Sequence, residues 1–396
     1  MMTDFELFFK PVVLERLHFV ASSSNRFGDK IDIHTVGHFP HFEGVSVALI
    51  GIEEERGSKD NKGCGMGADA IREQLYPLFY APTMPKMLDL GNLISGKTLK
   101  DTYAILADIV ETLLKNNIIP ILLGSSQDIT FANYLAYEQL QQVVNIVSID
   151  SKFDIGNSEQ PIDSHNFAGV IAARQPNFLF NYSNIGYQTY FVSHEDVALM
   201  DDLFFDAFRL GLAKKDIFEC EPVVRNADIF SLDMGSLCYS VSPACRYISP
   251  NGFTGVEICQ LAYFAGLSNK ISSFGIYEYN PLCDVCSQSA MLIAQVIWYF
   301  LDGISKRTDE HPALTPGRFN KITVVFENLY DVIFYRSKVS GMWWMEVPID
   351  PVLQQKYNKH YLVPCSAKDY QTASKNDILP ERWLQTFKKI KPSKKS

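Results

Sequence analysis

The sequence predicts an α/β protein with a mostly parallel central sheet and helices on both faces. Three observations support this fold class. Short apolar runs alternate with amphipathic segments along most of the chain. Several of these runs end in polar residues. Of the 396 residues, 47% are apolar, which is ample for a large core.

The first group of predicted elements extends to residue 149. Residues 45–52 form a β-branched, apolar run that predicts a strand. Residues 98–116 place Leu106, Ile109 and Leu113 on one stripe, as in an amphipathic helix. The same criteria predict a strand at 118–123, a helix through 133–141 and a strand at 143–149.

The second group continues the alternation. Apolar residues at 178–180 and 185–186 indicate one further strand. Three further helices are predicted, at residues 194–212, 255–265 and 287–301. Two further strands are predicted between them, at residues 228–233 and 271–277. This repeated order is typical of a parallel sheet that is covered by helices on both faces.

The C-terminal region departs from this order. Residues 321–326 predict a strand, residues 332–347 predict a hairpin, and Pro380 predicts the start of a helix. We therefore divide the chain into an N-terminal extension (1–44), an α/β domain (45–310) and a C-terminal extension (311–396) packed on the core. The last nine residues, 388–396, contain five lysines, which indicates a solvated basic tail or an electrostatic docking tail.

Composition excludes several classes of protein. The net charge of −9 argues against general nucleic-acid binding, which requires a basic face. The sequence has no run of about 18 apolar residues, so no membrane span is expected. The N-terminus lacks the features of a signal peptide, and the eight cysteines are scattered as in a reduced protein. A cytoplasmic location is therefore expected.

The most informative segment follows the strand at 143–149. Asp150, Lys152 and Asp154 occupy alternate positions, so an extended backbone would point all three to one side. Two aspartates alone would suggest a metal site, whereas the lysine ammonium carries a positive charge and no free lone pair. Polar residues also follow two other strands, at 124–128 and 233–235. The carboxyl ends of parallel strands are where sites form in such sheets.

Taken together, these segments resemble the ureohydrolase superfamily, which comprises arginase, agmatinase and formimidoylglutamase. The resemblance covers roughly residues 45–305. Residues 124–128 (GSSQD) stand where the family has GGDHS, residues 150–154 (DSKFD) stand for DAHxD, and residues 231–235 (SLDMG) stand for SxDxD. The stretches 63–72, 242–244 and 252–254 also resemble family patterns, and residues 278–284 (EYNPLCD) match ExNPxxD most specifically. The resemblance implies a three-layer, arginase-like fold.

The family binds two manganese ions through two histidines and four aspartates. The resemblance maps these six ligands to Gln127, Asp150, Lys152, Asp154, Asp233 and Gly235. Three aspartates remain, and both histidines are replaced. We therefore expect an eroded site in which Lys152 neutralises the three carboxylates and a buried Asp–Lys cluster replaces the dimetal centre. No cofactor is expected under this interpretation.

Two functions remain open at the level of sequence. The first is an arginase-fold protein that has lost dimetal hydrolysis and acts as a ligand-binding or scaffold protein. The alternative is a divergent C–N hydrolase for linear amidines such as formimidoylglutamate, arginine or agmatine. In that alternative Asp150, Asp154 and Asp233, with Gln127, hold a single Mn²⁺ or Mg²⁺ ion.

The resemblance also suggests two candidate catalytic residues. His165 lies where the family loop carries a proton-shuttling histidine, and Glu278 matches the residue that holds the cationic head of the substrate. Both residues also have ordinary interpretations, as a loop histidine and as the partner of a nearby base. The expected partners are a small guanidino or amidino ligand, a protein bound through the N- and C-terminal extensions, and further copies of the chain in a homo-oligomer.

Overall fold

A ten-stranded sheet forms the centre of the described part of the chain. The computed structural model describes residues 2–17, 25–326, 330–350, 353 and 356–390, with the side chains of residues 2–4 excluded. In chain order, the strands are β1 Phe9–Lys10, β2 Asp32–Ile33, β3 Val47–Ile52, β4 Met87–Leu93, β5 Ile119–Leu123, β6 Val144–Ile149, β7 Leu179–Tyr187, β8 Asp206–Arg209, β9 Ile229–Asp233 and β10 Ser273–Tyr277.

The sheet is parallel except at one edge. Its spatial order is β1-β4-β3-β5-β10-β9-β6-β7-β8, and β2 also pairs with β4. Only β1, which runs antiparallel to β4, breaks the parallel pairing of the described strands. The four strands β5, β10, β9 and β6 are therefore adjacent and parallel, so their carboxyl ends lie side by side.

Helices cover both faces of this sheet and give three layers, which confirms the predicted fold class. Alternate strand residues point into two separate apolar cores. Helices Gly67–Leu75, Gly255–Leu267 and Gln288–Ser305 pack on one face. Helices Leu99–Lys115, Ile129–Gln139 and Phe167–Ala173 pack on the other.

Shorter helices complete the domain. The α-helices are Phe27–Lys30, His194–Asp202, Leu210–Lys215 and Glu221–Arg225. The 3₁₀ helices are Met2–Phe8, Leu14–Leu17, Cys64–Met66, Ile217–Cys220, Met234–Ser236, Pro281–Cys283 and Pro316–Arg318. Among the described residues, every helix is too short or too polar to cross a lipid bilayer.

One predicted element is wrong. Residues 194–212 were expected to form a single helix, but the chain forms a helix to Asp202, then β8, then a second helix from Leu210. The reason is tertiary pairing, because β8 adds to the free edge of β7. The helix predicted through 133–141 also begins earlier, at Ile129, and the strand β4 was not predicted.

The segment before residue 45 joins the central sheet through β1 and β2. Phe5 and Phe9 are buried against the sheet, whereas Leu7 is 77% exposed. Some of the aromatic residues in this segment therefore belong to the core of the domain, and others face solvent.

A second, antiparallel sheet forms from the C-terminal region. Its strands are β11 Phe319–Val324, β12 Val332–Ser337, β13 Trp343–Glu346 and β14 Leu362–Cys365, and helices Ala367–Asn376 and Glu381–Ile390 follow. The pairing of β12 with β13 confirms the predicted hairpin, and the helix after Pro380 confirms the predicted start. Trp344 and Met345 are buried in the cores of this region. Residues 391–396 of the basic tail lie outside the described residues, whereas Lys388 and Lys389 belong to the last helix.

Candidate metal centre

The candidate site lies at the carboxyl ends of the four adjacent parallel strands. Asp233 is the last residue of β9, and Asp150 and Glu278 directly follow β6 and β10. The turn after β5 places Gly124 and Ser125 at φ values of +82° and +72°. This turn brings the backbone of residues 125–127 beside Glu278, whose amide donates to the Ser125 carbonyl at 2.9 Å.

Three carboxylates converge at this edge. Asp150, Asp154 and Asp233 each offer an oxygen, and these oxygens lie within 4.8 Å of one another. All three residues are buried. One oxygen of Asp150, Oδ2, has no hydrogen-bond partner, whereas Oδ1 accepts from the Lys152 amide at 2.9 Å. The site therefore holds a buried carboxylate oxygen that lacks a donor among the described residues.

Burial and mutual repulsion raise the pKa of each carboxyl. Burial is the main cause for Asp150 and Asp233, and the charge of a neighbouring aspartate adds to it. Burial raises the pKa of Asp154 to about 7, with a further contribution from Asp233. Carboxylates so perturbed are unfavourable unless a cation or a proton neutralises them.

The positive charge of Lys152 opposes the rise in pKa of all three aspartates, but this side chain makes no ion pair with them, so the contact expected in the Asp–Lys cluster does not form. The Lys152 ammonium lies 4.2 Å from the centre of the Tyr247 ring. No carboxylate of the described residues lies within the 4.0 Å ion-pair distance of this ammonium. The physical reason is local: the chain bends at Ser151 and Lys152, and Asp154 has a φ of +48°, so the backbone leaves the extended conformation on which the prediction depended. The cation–π contact with Tyr247 takes the place of the expected ion pair.

The other two altered positions offer little to a metal ion. Gln127 is fully buried, and its side-chain amide donates to Ser231 Oγ at 2.9 Å. Its Oε1 has no partner. Gly235 lines the cavity without a side chain, and its amide donates to Asp233. A Cβ at this position would lie 3.0 Å from Asp233 Oδ1, so a side chain there would require a small shift of that carboxylate.

Glu278 is held firmly at the same edge. Its Oε1 accepts from the backbone amide of Gln127 at 2.8 Å, and its Oε2 accepts from the Asn61 side chain at 2.8 Å. Burial, followed by the charge of Asp233, raises its pKa to about 8. Its backbone has a φ of +63°, a conformation that costs about 1–3 kcal/mol in a non-glycine residue and is frequent at functional sites.

His165 faces the carboxylates from a loop. Its amide donates to Asp163 at 2.8 Å, and its Nε2 is buried without a partner. Burial, together with the positive charge of Lys152, lowers the pKa of this imidazole, so the ring is neutral at physiological pH. Its ring centre lies 5.4 Å from that of Tyr247, whose hydroxyl donates to Asp60 at 2.6 Å.

These groups surround a cavity of about 20 Å³, lined by Asp150, Ser151, Lys152, Asp154, Ser164, His165, Asp233, Gly235, Tyr247 and Glu278. This volume holds one ion or one water molecule. The donor set consists of hard carboxylate oxygens, which suit Mn²⁺ or Mg²⁺, and the orphaned Asp150 Oδ2 supplies a free ligand atom. The described residues thus fit a single divalent cation. They do not fit a second one, since Gln127 and Lys152 replace both histidines of the family's ligand set and the Lys152 ammonium would repel a further cation.

Sequence reasoning did not identify three residues of the site. Tyr247, Asn61 and Ser164 all contribute to the surroundings of the carboxylates. Tyr247 lies between the family-like stretches 242–244 and 252–254, which is a signal for proximity but not for orientation. Asn61 and Ser164 carry no signal of their own.

The comparisons with known proteins concern the family and the fold of the chain. The family model described as "Arginase family" matches residues 45–302 of the chain. A formimidoylglutamase from Staphylococcus haemolyticus is 23% identical over 275 residues, which cover 65% of this chain and 86% of the relative.

Two solved structures share the fold. A formiminoglutamase from Trypanosoma cruzi with Mn²⁺ superposes with a TM-score of 0.65 at 18% identity, covering 72% of this chain and 100% of that one. A formimidoylglutamase from Bacillus subtilis gives a TM-score of 0.64 at 18% identity, covering 73% of this chain and 95% of that one. At such low identity, these structures establish the shared fold.

Proposed function

Because the chain belongs to the arginase family, we propose that it hydrolyses a C–N bond of a linear amidine at a single divalent cation. The observation that carries this proposal is the group of three buried carboxylates, whose oxygens lie within 4.8 Å of one another and make no ion pair with a cationic side chain of the described residues. Such a group is costly to bury without a metal ion and common where one binds. Formimidoylglutamate is the first substrate to test, because the curated relatives are formimidoylglutamases.

Asp150, Asp154 and Asp233 would hold the cation, with Mn²⁺ or Mg²⁺ as candidates. When bound, the cation supplies a Lewis acid that lowers the pKa of water and so provides a nucleophile at neutral pH. The three aspartates would also fix the position of the cation, because their burial excludes competing water from them.

Glu278 would orient the substrate. Its carboxyl lines the cavity and is fixed by the Gln127 amide and the Asn61 side chain. An amidinium cation next to this group would favour its ionised form, and a carboxylate can bind the two N–H groups of an amidinium side by side. Because the cavity of about 20 Å³ holds only one ion or one water molecule, its walls would have to open for the substrate to reach Glu278 and the aspartates.

His165 would move the proton. Its unpartnered Nε2 is neutral and lines the cavity, so it can accept a proton from water and donate it to the departing nitrogen. Lys152 stays against Tyr247 in this scheme and limits the site to one cation.

The test is an activity assay of the full-length protein, with Mn²⁺ or Mg²⁺, on formimidoylglutamate, arginine and agmatine. We expect metal-dependent turnover of one of them and a loss of about 100-fold or more in Asp154→Asn. Asp331→Asn removes an exposed carboxylate of the same type and serves as the control. If metal-loaded protein turns over none of the three compounds, the hydrolase proposal fails.

A second candidate function is ligand binding or scaffolding without hydrolysis. The observation that favours it is the presence of Gln127, Lys152 and Gly235 at three of the six metal-ligand positions implied by the resemblance. Under this alternative a guanidino or amidino compound binds through Glu278 and is not consumed. Homo-oligomer contacts or a protein partner would use exposed apolar residues of the extensions, such as Leu7 and Phe8. Binding of such a compound, measured by calorimetry without product release, would support this second candidate.

A further inference from the structure

A second polar cavity lies between the central sheet and the C-terminal sheet. It encloses about 70 Å³, and its walls include Arg225, Lys270 and Lys359. Lys270 precedes β10, whereas Glu278 follows that strand. The two cavities therefore lie at opposite ends of the parallel strands. A five-residue strand separates those ends by about 16 Å. This second cavity is therefore independent of the candidate metal centre.

Arg225 is the central group of this cavity. Only 6% of the residue is exposed. Its Nε donates to Glu221 at 2.6 Å, its Nη2 donates to the Trp343 carbonyl at 3.1 Å, and its guanidinium lies 4.3 Å from the centre of the Trp344 ring. Its Nη1 is buried and has no hydrogen-bond partner among the described residues. A buried N–H group without an acceptor is unfavourable, so a ligand that accepts a hydrogen bond from Nη1 would be favoured here.

Positive charge exceeds negative charge around the cavity. Arg225 pairs with Glu221, and Lys270 pairs with Asp228 at 3.5 Å. Arg307 donates only to the backbone carbonyls of Gly266 and Ile271, at 2.8 and 3.1 Å. Within the described residues, Lys359 has no carboxylate inside the 4.0 Å ion-pair distance. The one carboxylate among the lining residues, Glu310, is already bound by Ser337 and Thr308.

Two histidines near this cavity are affected by its positive charge. Burial, and then the charge of Lys270, lowers the pKa of His311, which also lines the cavity. Burial and the same lysine lower the pKa of His360. Both imidazoles are therefore neutral, and the excess positive charge at the junction rests on Arg307 and Lys359, for which the described residues provide no ion pair.

We propose that this cavity binds a tetrahedral oxyanion of the phosphate class, with Arg225, Lys270 and Lys359 as its donors. Phosphate oxygens accept hydrogen bonds in several directions, which suits one guanidinium and two ammonium groups that converge from different elements. The volume of about 70 Å³ accommodates one small oxyanion. Because Arg225 belongs to the central domain and Lys359 to the C-terminal region, the bound anion would link the two.

The test is a calorimetric titration of the full-length protein with inorganic phosphate at constant ionic strength. A metal chelator is present, so phosphate cannot bind through a metal ion. We expect saturable binding that Lys359→Glu weakens by about tenfold, since the variant reverses the charge of one of the proposed donors at an exposed position. Lys375→Glu makes the same charge change on the exposed surface of helix Ala367–Asn376 and should leave binding unchanged.

A second probe distinguishes the two sources of the oxyanion. A nucleoside monophosphate that binds more tightly than inorganic phosphate would identify a phosphorylated metabolite as the ligand, whereas equal or weaker binding would identify the free ion. The proposal is overturned if neither probe binds saturably. It is also overturned if Lys359→Glu leaves phosphate binding unchanged.

Discussion

Asp150, Lys152 and Asp154 lie within one short segment, yet their side chains have different surroundings. The two aspartates meet Asp233, whereas the lysine packs on the Tyr247 ring. The sequence predicted that these residues share one site, and all of them line the cavity. It did not predict the orientation of Lys152, because this depends on the bend of the chain at Ser151 and Lys152 and on an aromatic residue nearly a hundred positions away.

The first prediction concerns the like charges of the aspartates. Asp150→Asn should raise the free energy of unfolding of the metal-free protein by about 1 kcal/mol, since it removes one of three buried, mutually repelling carboxylates. The same variant should lose the stabilisation that added Mn²⁺ gives to the wild type. Thermal unfolding with and without Mn²⁺ measures both effects, and Asp331→Asn is the exposed control. If Asp150→Asn instead lowers the free energy of unfolding of the metal-free protein, repulsion among the three aspartates does not destabilise the fold.

The second prediction concerns Lys152. Lys152→Met retains an apolar stem against Tyr247 and removes a positive charge from the wall of the cavity. We expect the affinity for Mn²⁺ to increase by about tenfold, because a neighbouring ammonium repels a divalent cation. Lys115→Met, on the surface of helix Leu99–Lys115, should leave the affinity unchanged. An unchanged or weaker affinity in Lys152→Met would mean that the lysine does not oppose metal binding.

At the scale of elements, the periodicity of the sequence was enough to locate most strands and helices. Its limits are shown by residues 194–212, where β8 forms because the edge of β7 is available. The sequence of that segment has a helical pattern, which does not reveal that β7 offers an edge for pairing. The strand ends that carry Asp150, Asp233 and Glu278 were predicted correctly, since apolar runs and the polar residues that follow them are both local signals.

The third prediction tests one helix. Helix Leu99–Lys115 begins with a capping box in which the Thr98 hydroxyl accepts from the Asp101 amide and the Asp101 carboxylate accepts from the Thr98 amide. Thr98→Ala should lower the free energy of unfolding by about 1 kcal/mol, because it leaves an amide of the first turn without its acceptor. Chemical denaturation measures this change. The neighbouring Lys97→Ala should have little effect, and equal effects of the two substitutions would contradict the role of the cap.

At the scale of the whole molecule, the C-terminal region is attached to the central sheet through a few charged and aromatic residues. Lys389, in the last helix, lies 5.5 Å from the centre of the Phe180 ring and 5.2 Å from that of Phe205. Burial lowers its pKa to about 8, although the charge of Asp206 opposes the shift. The sequence predicted a basic tail here, but it could not show that Lys389 packs against the central domain.

This lysine gives the fourth prediction. Its pKa is lower in the folded than in the unfolded protein, so the unfolded chain binds more protons between about pH 8 and 10.5 and stability rises over that range. Lys389→Met lacks this effect. Its stability relative to the wild type should therefore decrease by about 3 kcal/mol as the pH rises through that interval. Lys388→Met, at the adjacent exposed lysine, is the control. A stability difference independent of pH would contradict the assignment.

The metal content of the purified protein tests the central claim most directly. Elemental analysis after purification with and without added Mn²⁺ counts the ions that each chain retains. The three convergent carboxylates, together with the positive charge of Lys152, predict one equivalent of Mn²⁺ and a melting temperature that rises with added metal. No bound metal and no change in melting temperature would contradict the account, and so would two equivalents per chain.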